Sequence, residues 1–244
     1  MIFEVAHEQA GRPMVWETAV SEVVPRTKDV KSFRFPKPEG FQYKAGQWMY
    51  INIRIEGVQK LHHFTISSSP TENYIEFTKK ITDSQYSQAL DKMKPGDWAK
   101  INAPFGEFTL GGENEKIGAL TGGSGITPLM SICRYCTDKK LPTSIVMLYS
   151  NKTENEIVFK DELDEIQKMN PNIVIKNVLT REPEWKGLKG HIDADMIKAQ
   201  IPDYKERVFY ICGPPSLNQA MKKALEGLNL REDRIKLEEF TGYQ

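Results

Sequence analysis

Cysteine is scarce in this 244-residue chain, which carries only Cys133, Cys136 and Cys212. Three thiols cannot build a disulfide framework. They are also one short of the four thiolates that hold a plant-type iron–sulfur cluster. Net charge is missing too, with 33 Lys and Arg against 33 Asp and Glu. That argues against a general nucleic-acid or anionic-membrane binder, which carries a basic excess. No apolar run approaches the roughly 18 residues that span a bilayer. Segment 1–9 holds no Lys or Arg and makes a poor secretory signal. These absences predict a reducing, cytoplasmic setting. No internal repeat, low-complexity tract or G-x-G-x-x-G fingerprint is present.

What remains is an ordinary globular mix, 39% hydrophobic and 27% charged. The length predicts one large domain or two modest ones. The pattern changes style near residue 112. From Trp16 to Leu110 the apolar runs are short and often alternate, as in Val30–Phe35 and Tyr74–Phe77, both half-buried strand patterns. Trp48–Ile55 and Leu61–Ile66 are further strand candidates. Pro36, Pro38, Gly40 and the Pro95-Gly96-Asp97 turn separate such runs. A helix is predicted over Ser87–Met93. Short strands with regular turns point to a small barrel or sandwich.

After Gly111-Gly112 strands and helices alternate. Strands are predicted at Ile117–Thr121, Ser144–Tyr149, Ile173–Leu179, Val208–Cys212 and Arg234–Leu237. Helices are predicted at Thr127–Thr137, Glu156–Lys168, Ala194–Ala199 and Ser216–Gly227. Thr127 is read as an N-cap with Pro128 at the first helical position. Such βαβ repetition implies a parallel sheet covered on both faces. The reading divides the chain into 1–112 and 113–244.

Between the first strand and first helix of the second half lies Thr121-Gly122-Gly123-Ser124-Gly125-Ile126-Thr127-Pro128. Its glycines permit close backbone approach. The helix N-terminus behind them offers free N–H groups to a pyrophosphate. Cys212-Gly213-Pro214-Pro215 stands at the carboxyl end of the fourth strand, where such sheets bind ligands. Cys212 is expected to point into that crevice. Cys133 and Cys136 have redox spacing, but Cys133 lies more than a turn inside a helix, away from the N-terminus that lowers a thiol pKa. The pair is read as structural.

Leu61-His62-His63-Phe64-Thr65-Ile66-Ser67-Ser68-Ser69-Pro70 stands in the first half. Together with the glycine turn, Cys-Gly-Pro-Pro and Glu238-Glu239-Phe240, in that order, it resembles the ferredoxin–NADP reductase superfamily, of the oxygenase-reductase and cytochrome b5 reductase kind. The resemblance covers about residues 16 to 240. It implies an antiparallel Greek-key β-barrel binding FAD, followed by a Rossmann-like α/β domain binding NAD(P)H. The family's flavin signature is Arg-x-Tyr-Ser/Thr. Here His62, Phe64 and Thr65 match it, with His in place of Arg. The resemblance implies that Phe64 packs on the flavin and that the Thr65 hydroxyl bonds near N5. His62 offers fewer donors and less charge to the diphosphate than an arginine does. Lys79 either compensates for that charge or is one of a solvated pair with Lys80 on an edge strand. Ser87 matches the serine of the second flavin segment, although the usual glycine before it is missing. Phe240 matches the aromatic that stacks on the isoalloxazine, and Tyr243 is the substitute.

The resemblance further implies that Gly122, Gly123, Ser124, Gly125, Thr127, Cys212, Gly213 and Pro214 hold the nucleotide. Asn151 and Lys152 end the second strand of that half, with no acid before Glu154, so Lys152 can pair with a 2′-phosphate and leans the choice to NADPH. Arg181 matches a family arginine near the dinucleotide. The implied function is hydride transfer from NAD(P)H to flavin N5, with Thr65, Cys212 and Phe240 around the hydride path. With no cluster of its own, the chain is expected to pass electrons to a separate acceptor, such as a ferredoxin or an oxygenase component. The alternative is an electron-transfer or regulatory flavoprotein subunit with little activity alone.

Overall fold

The first strands are held by alternation. In the computed structural model, which describes residues 12–112 and 115–239, β1 (Met14–Ala19), β2 (Glu22–Pro25), β3 (Val30–Pro36), β4 (Trp48–Ile55), β5 (Val58–Thr65) and β6 (Tyr74–Lys80) follow in turn. The short helix α1 (Gln85–Asp91) and strand β7 (Trp98–Phe105) complete this half. On β4, Met49, Ile51 and Ile53 point inward while Trp48 and Tyr50 stand on the other face, the period-two pattern of a strand with one buried side. The strands form two antiparallel sheets, ordered β1-β7-β4-β5 and β2-β3-β6. An isolated bridge between Ile66 and Phe77 joins them. Phe33, Phe35, Met49, Ile51, Ile75, Phe77, Leu90 and Ile101 fill the space between. Phe33 stacks on Phe77 at 5.0 Å across the β3–β6 ladder.

The second half begins with β8 (Lys116–Gly122) and continues α2 (Thr127–Asp138), β9 (Ser144–Asn151), α3 (Lys160–Met169), β10 (Ile173–Leu179), β11 (Leu188–Lys189), α4 (Ala194–Gln200), β12 (Val208–Gly213), α5 (Pro215–Gly227) and β13 (Ile235–Glu239). The strands are all parallel, in the order β11-β10-β9-β8-β12-β13. The order runs one way from β8 through β9 and the other way through β12, so the switch point lies between β8 and β12. Both faces are covered. On β12, Tyr210 and Cys212 join one core layer and Phe209 and Ile211 the other.

Three local expectations are corrected. Thr127 is not an N-cap, because Gly123–Ile126 already form a turn of 3-10 helix, and the last extended residue is Gly122. The helix expected over Glu156–Lys168 starts only at Lys160. Ile157, Val158 and Phe159, all buried, precede it as non-helical chain. Phe159 turns the chain in left-handed geometry, at φ 63°. The half-buried reading of Tyr74–Phe77 fails at Glu76, whose side chain has no exposure. Contacts from α2 cover the outer face of β6 there. Strand β7, which the sequence reading leaves out, alternates as β4 does, with Ala99, Ile101 and Ala103 buried.

Candidate active site

One wall of the site is the end of β5. Its ladder with β4 sets His62 opposite Ile51, Phe64 opposite Met49 and Thr65 opposite Trp48. Phe64 stacks on Phe77 at 4.6 Å, and the His62 ring lies 3.8 Å from that of Tyr86. Burial, with Lys79 and His63 nearby, lowers the His62 pKa from its ordinary value, which favours the neutral ring. Burial lowers that of Lys79 as well. Thr65 is 4% exposed, and its Oγ1 is buried without a hydrogen-bond partner. A buried hydroxyl left unpaired costs free energy unless something else completes it.

The second flavin segment lies differently from expectation. Ser84 is the N-cap of α1 and accepts from the Ser87 amide at 3.3 Å. Ser87 itself is fully buried, with its hydroxyl 3.1 Å from Thr82 Oγ1. Thr82 and Ser84, not Ser87, line the cleft.

The facing wall is the switch point between β8 and β12. Gly123 takes a left-handed φ of 54°, which glycine adopts without a Cβ penalty. A Cβ on Gly125 would lie 2.5 Å from the Gly213 Cα and 3.0 Å from the Cys212 carbonyl. The two glycine segments therefore cross in contact. Tyr149 ties the turn from below, its hydroxyl donating to the Gly123 carbonyl at 2.9 Å. Thr121 Oγ1 donates to the Cys212 carbonyl at 2.7 Å. Cys212 does not stand free in the crevice. It is fully buried, its Sγ lies 3.5 Å from Thr121 Oγ1, and burial pushes its pKa far up. The alternation that sends Ile211 to one core layer sends the thiol to the other. Cys133 and Cys136 are also buried, with raised pKa values, which leaves no reactive thiolate in the pair.

Between the walls lies a cleft of about 450 Å³. From the first half it is lined by His62, His63, Phe64, Thr65, Lys79 and Tyr86, and from the second by Ser124, Gly125, Thr127, Gly213 and Pro214. Gly122, Ser87 and Cys212 are buried and Gly123 half-buried, none of them part of this lining. Asn151 is buried at the end of β9, whereas Lys152 and Arg181 are exposed, joined through a 2.8 Å bond from the Arg181 amide to the Lys152 carbonyl. Phe240 and Tyr243 lie outside the described residues. Sequence reasoning gave no role to Thr82, Ser84, Tyr149 or Glu238. Burial raises the Glu238 pKa to about 7. Only its place opposite Cys212 on β13 signals that environment.

The donor set fits FAD on one wall, where an aromatic ring, an unpaired hydroxyl and cations meet. It fits a nicotinamide dinucleotide on the other, where small residues open on a helix start. Among the described residues no group of His, Cys, Asp and Glu could hold a metal ion.

This frame and cleft define a two-part oxidoreductase that binds a flavin and a nicotinamide nucleotide. Residues 17–110 match the oxidoreductase FAD-binding domain family, and residues 120–223 match the oxidoreductase NAD-binding domain family. The chain belongs to the ferredoxin–NADP reductase superfamily. It is 31% identical over 226 residues to the NADH-cytochrome b5 reductase 2 of Gallus gallus, covering 78% of this chain and 74% of that protein. It is 31% identical over 215 residues to the glycine betaine monooxygenase reductase subunit of Chromohalobacter salexigens. That match covers 84% of this chain but only 58% of the relative. In fold it is similar to the ferredoxin NADP+ reductase of Neisseria gonorrhoeae solved with FAD and NADP, at a TM-score of 0.79 and 20% identity, over 92% of this chain and 98% of that one.

Proposed function

We propose that this protein is an FAD-dependent NAD(P)H reductase that passes electrons to a separate protein, a ferredoxin or an oxygenase component. The observation that carries the reading is the shared cleft, with the unpaired Thr65 hydroxyl on one wall and the Ser124-Gly125 turn on the other. When bound, FAD supplies the acceptor atom for a hydride from NAD(P)H and the means to release two electrons singly.

The chain's own residues bind and orient. Phe64 offers a ring edge held by Phe77, and Thr65 offers a hydrogen bond at the reacting end. His62 and Lys79 face the diphosphate, and Ser87 anchors the α1 turn from beneath. Ser124, Gly125 and Thr127 receive the nucleotide pyrophosphate at the start of α2, and Gly122, Gly123 and Gly213 let the backbone come close. Pro214 shapes the rim. Cys212, a neutral thiol, fills space beside the hydride path, and no nucleophile is required of it. Phe240 is assigned to cover the flavin ring. Asn151 supports the ribose side. Lys152 and Arg181, exposed and without an ion pair among the described residues, favour a 2′-phosphate and hence NADPH.

The acceptor reading rests on the relatives' printed role as a reductase subunit. The same printed role favours one further reading, an electron-transfer or regulatory flavoprotein subunit with little activity by itself. The protein has no helix, among the described residues, long and apolar enough to cross a membrane. The cytoplasm is the compartment we assign.

The test is a visible spectrum of the protein with FAD, then anaerobic titration with NADH and NADPH separately. A flavin spectrum bleached by one nucleotide supports the reductase. Bound flavin that neither bleaches supports the subunit reading, and no bound flavin at saturation overturns both.

A further inference from the structure

Three arginines converge on one carboxylate at the seam between the halves. Arg26 reaches Glu76 Oε2 at 2.8 Å, Arg34 reaches the same oxygen at 2.9 Å, and Arg134 reaches Oε1 at 3.2 Å. Arg134 comes from α2, across the seam. Its other nitrogen holds Glu162 of α3, which also takes Arg26 at 2.6 Å. The Phe159 ring lies under both guanidiniums, at 4.7 Å and 5.3 Å. Burial alone would raise the Glu76 pKa, but the guanidiniums outweigh it and hold the carboxyl below its usual range.

A buried ion cluster is poor evidence for stability, because desolvation offsets much of its attraction. Its placement indicates another role. Arg134 also donates to the Ser67 carbonyl at 2.8 Å, and Ser131 Oγ donates to the Ser68 carbonyl at 2.6 Å. Ser67 Oγ in turn donates to Glu76 Oε1 at 2.9 Å. Ser67 stands two residues beyond Thr65. On α2, Thr127, Ser131 and Arg134 fall at i, i+4 and i+7, along one face. The helix that opens at the cleft with Thr127 is therefore clamped, one and two turns on, to the loop that leaves Thr65.

We propose that Glu76, Arg134 and Ser131 are positioning residues for hydride transfer. They fix the distance between the flavin wall and the nucleotide wall without touching either cofactor. The proposal rests on the reductase reading above. The step breaks one C4–H bond of the nicotinamide and forms one N5–H bond on the flavin. Two electrons travel with the hydrogen, so the nicotinamide is oxidised and the flavin reduced. Such a transfer is steep in distance, and a misplacement of about 1 Å costs roughly a hundredfold.

The test uses the full chain loaded with FAD and the variants Arg134→Lys, Glu162→Gln and Ser131→Ala. Glu76→Gln leaves three guanidiniums facing an amide and is the variant that fails to fold. Arg134→Lys keeps the charge, and Glu162 is 32% exposed, so these fold. Anaerobic stopped-flow bleaching at several nucleotide concentrations separates the limiting rate from affinity. We expect Arg134→Lys and Glu162→Gln to lower the limiting rate roughly ten- to a hundredfold, and Ser131→Ala less. Half-saturation should stay within about twofold, and the long-wavelength absorbance of flavin against nicotinamide should weaken in parallel. Limiting rates equal to wild type in all three variants overturn the proposal, even if melting temperatures fall. If neither nucleotide bleaches the wild type, the reductase reading fails and takes the proposal with it.

Discussion

The Tyr149 hydroxyl donates to the Gly123 carbonyl at 2.9 Å and accepts from the Val158 amide at 3.2 Å. One buried phenol thus ties the glycine turn to the chain entering α3. Removing it strands a carbonyl and an amide at once. Tyr149→Phe should lose about 1–3 kcal/mol of stability and weaken nucleotide binding, with FAD binding unchanged. Urea unfolding and separate titrations of the two cofactors check this.

Gly125→Ala places a methyl group where the Gly213 backbone already stands, 2.5 Å away. Backbone cannot yield as a side chain can. The turn and the end of β12 must part, so nucleotide affinity should fall at least about tenfold, roughly 1.4 kcal/mol. The flavin spectrum should persist, because Phe64 and Thr65 lie on the other wall. Intact nucleotide binding in this variant would show that the crossing of the two glycine segments is not part of the site.

Thr65→Val tests the unpaired hydroxyl. Without FAD the variant should be as stable as wild type or slightly more so, since a buried polar group with no partner is removed. With FAD it should lose about 1–2 kcal/mol of binding free energy, and Thr65→Ser should retain it. Calorimetric melting with and without FAD separates the two effects.

Glu238 carries a pH signature. Burial raises its folded pKa to about 7, against an ordinary value of 4.5. The folded protein therefore binds an extra proton between those values, and this group's contribution to stability declines as pH rises through that window. Glu238→Gln should become progressively more stable relative to wild type from about pH 4.5 to about pH 7, then level off. Paired melting curves across that range measure the difference.

His62→Arg replaces a ring whose pKa burial lowers with a cation charged at every pH. FAD affinity should rise, and its dependence on pH should flatten. In the wild type, FAD should bind more tightly as pH falls below the ordinary histidine value of 6.5, because the charged ring attracts the diphosphate. Fluorescence titration at several pH values reads both.

The two glycine segments and β5 were legible because each is local. A turn between a strand and a helix needs small residues whatever surrounds it, and Gly125 and Gly213 declare themselves from spacing alone. Glu76 was not legible. Its place in Tyr-Ile-Glu-Phe reads as the wet face of a strand, and Arg134 of α2, more than fifty residues later, completes with Arg26 and Arg34 the cover of that face. Arg134 was equally silent, one cation inside a helix whose pattern explains itself without it. Ser87 misled for a related reason. The serine that matches a family position is buried, while Ser84, three residues earlier, caps the helix and meets the cleft. Long-range burial decides such residues, and period-two or period-3.6 patterns carry no trace of it.

The clamp on α2 also bears on how this chain can be recombined with its relatives. The apparent cut between the halves falls in the glycines after Leu110. It leaves Glu76 and the Ser67–Ser68 carbonyls on one piece and Arg134 and Ser131 on the other. A chimera spliced there inherits a buried acid and two of its guanidiniums, Arg26 and Arg34, from one parent and the third, Arg134, from another. The unit that must be exchanged intact is the joint itself: the Ser67–Ser69 loop, β6 and the first three turns of α2.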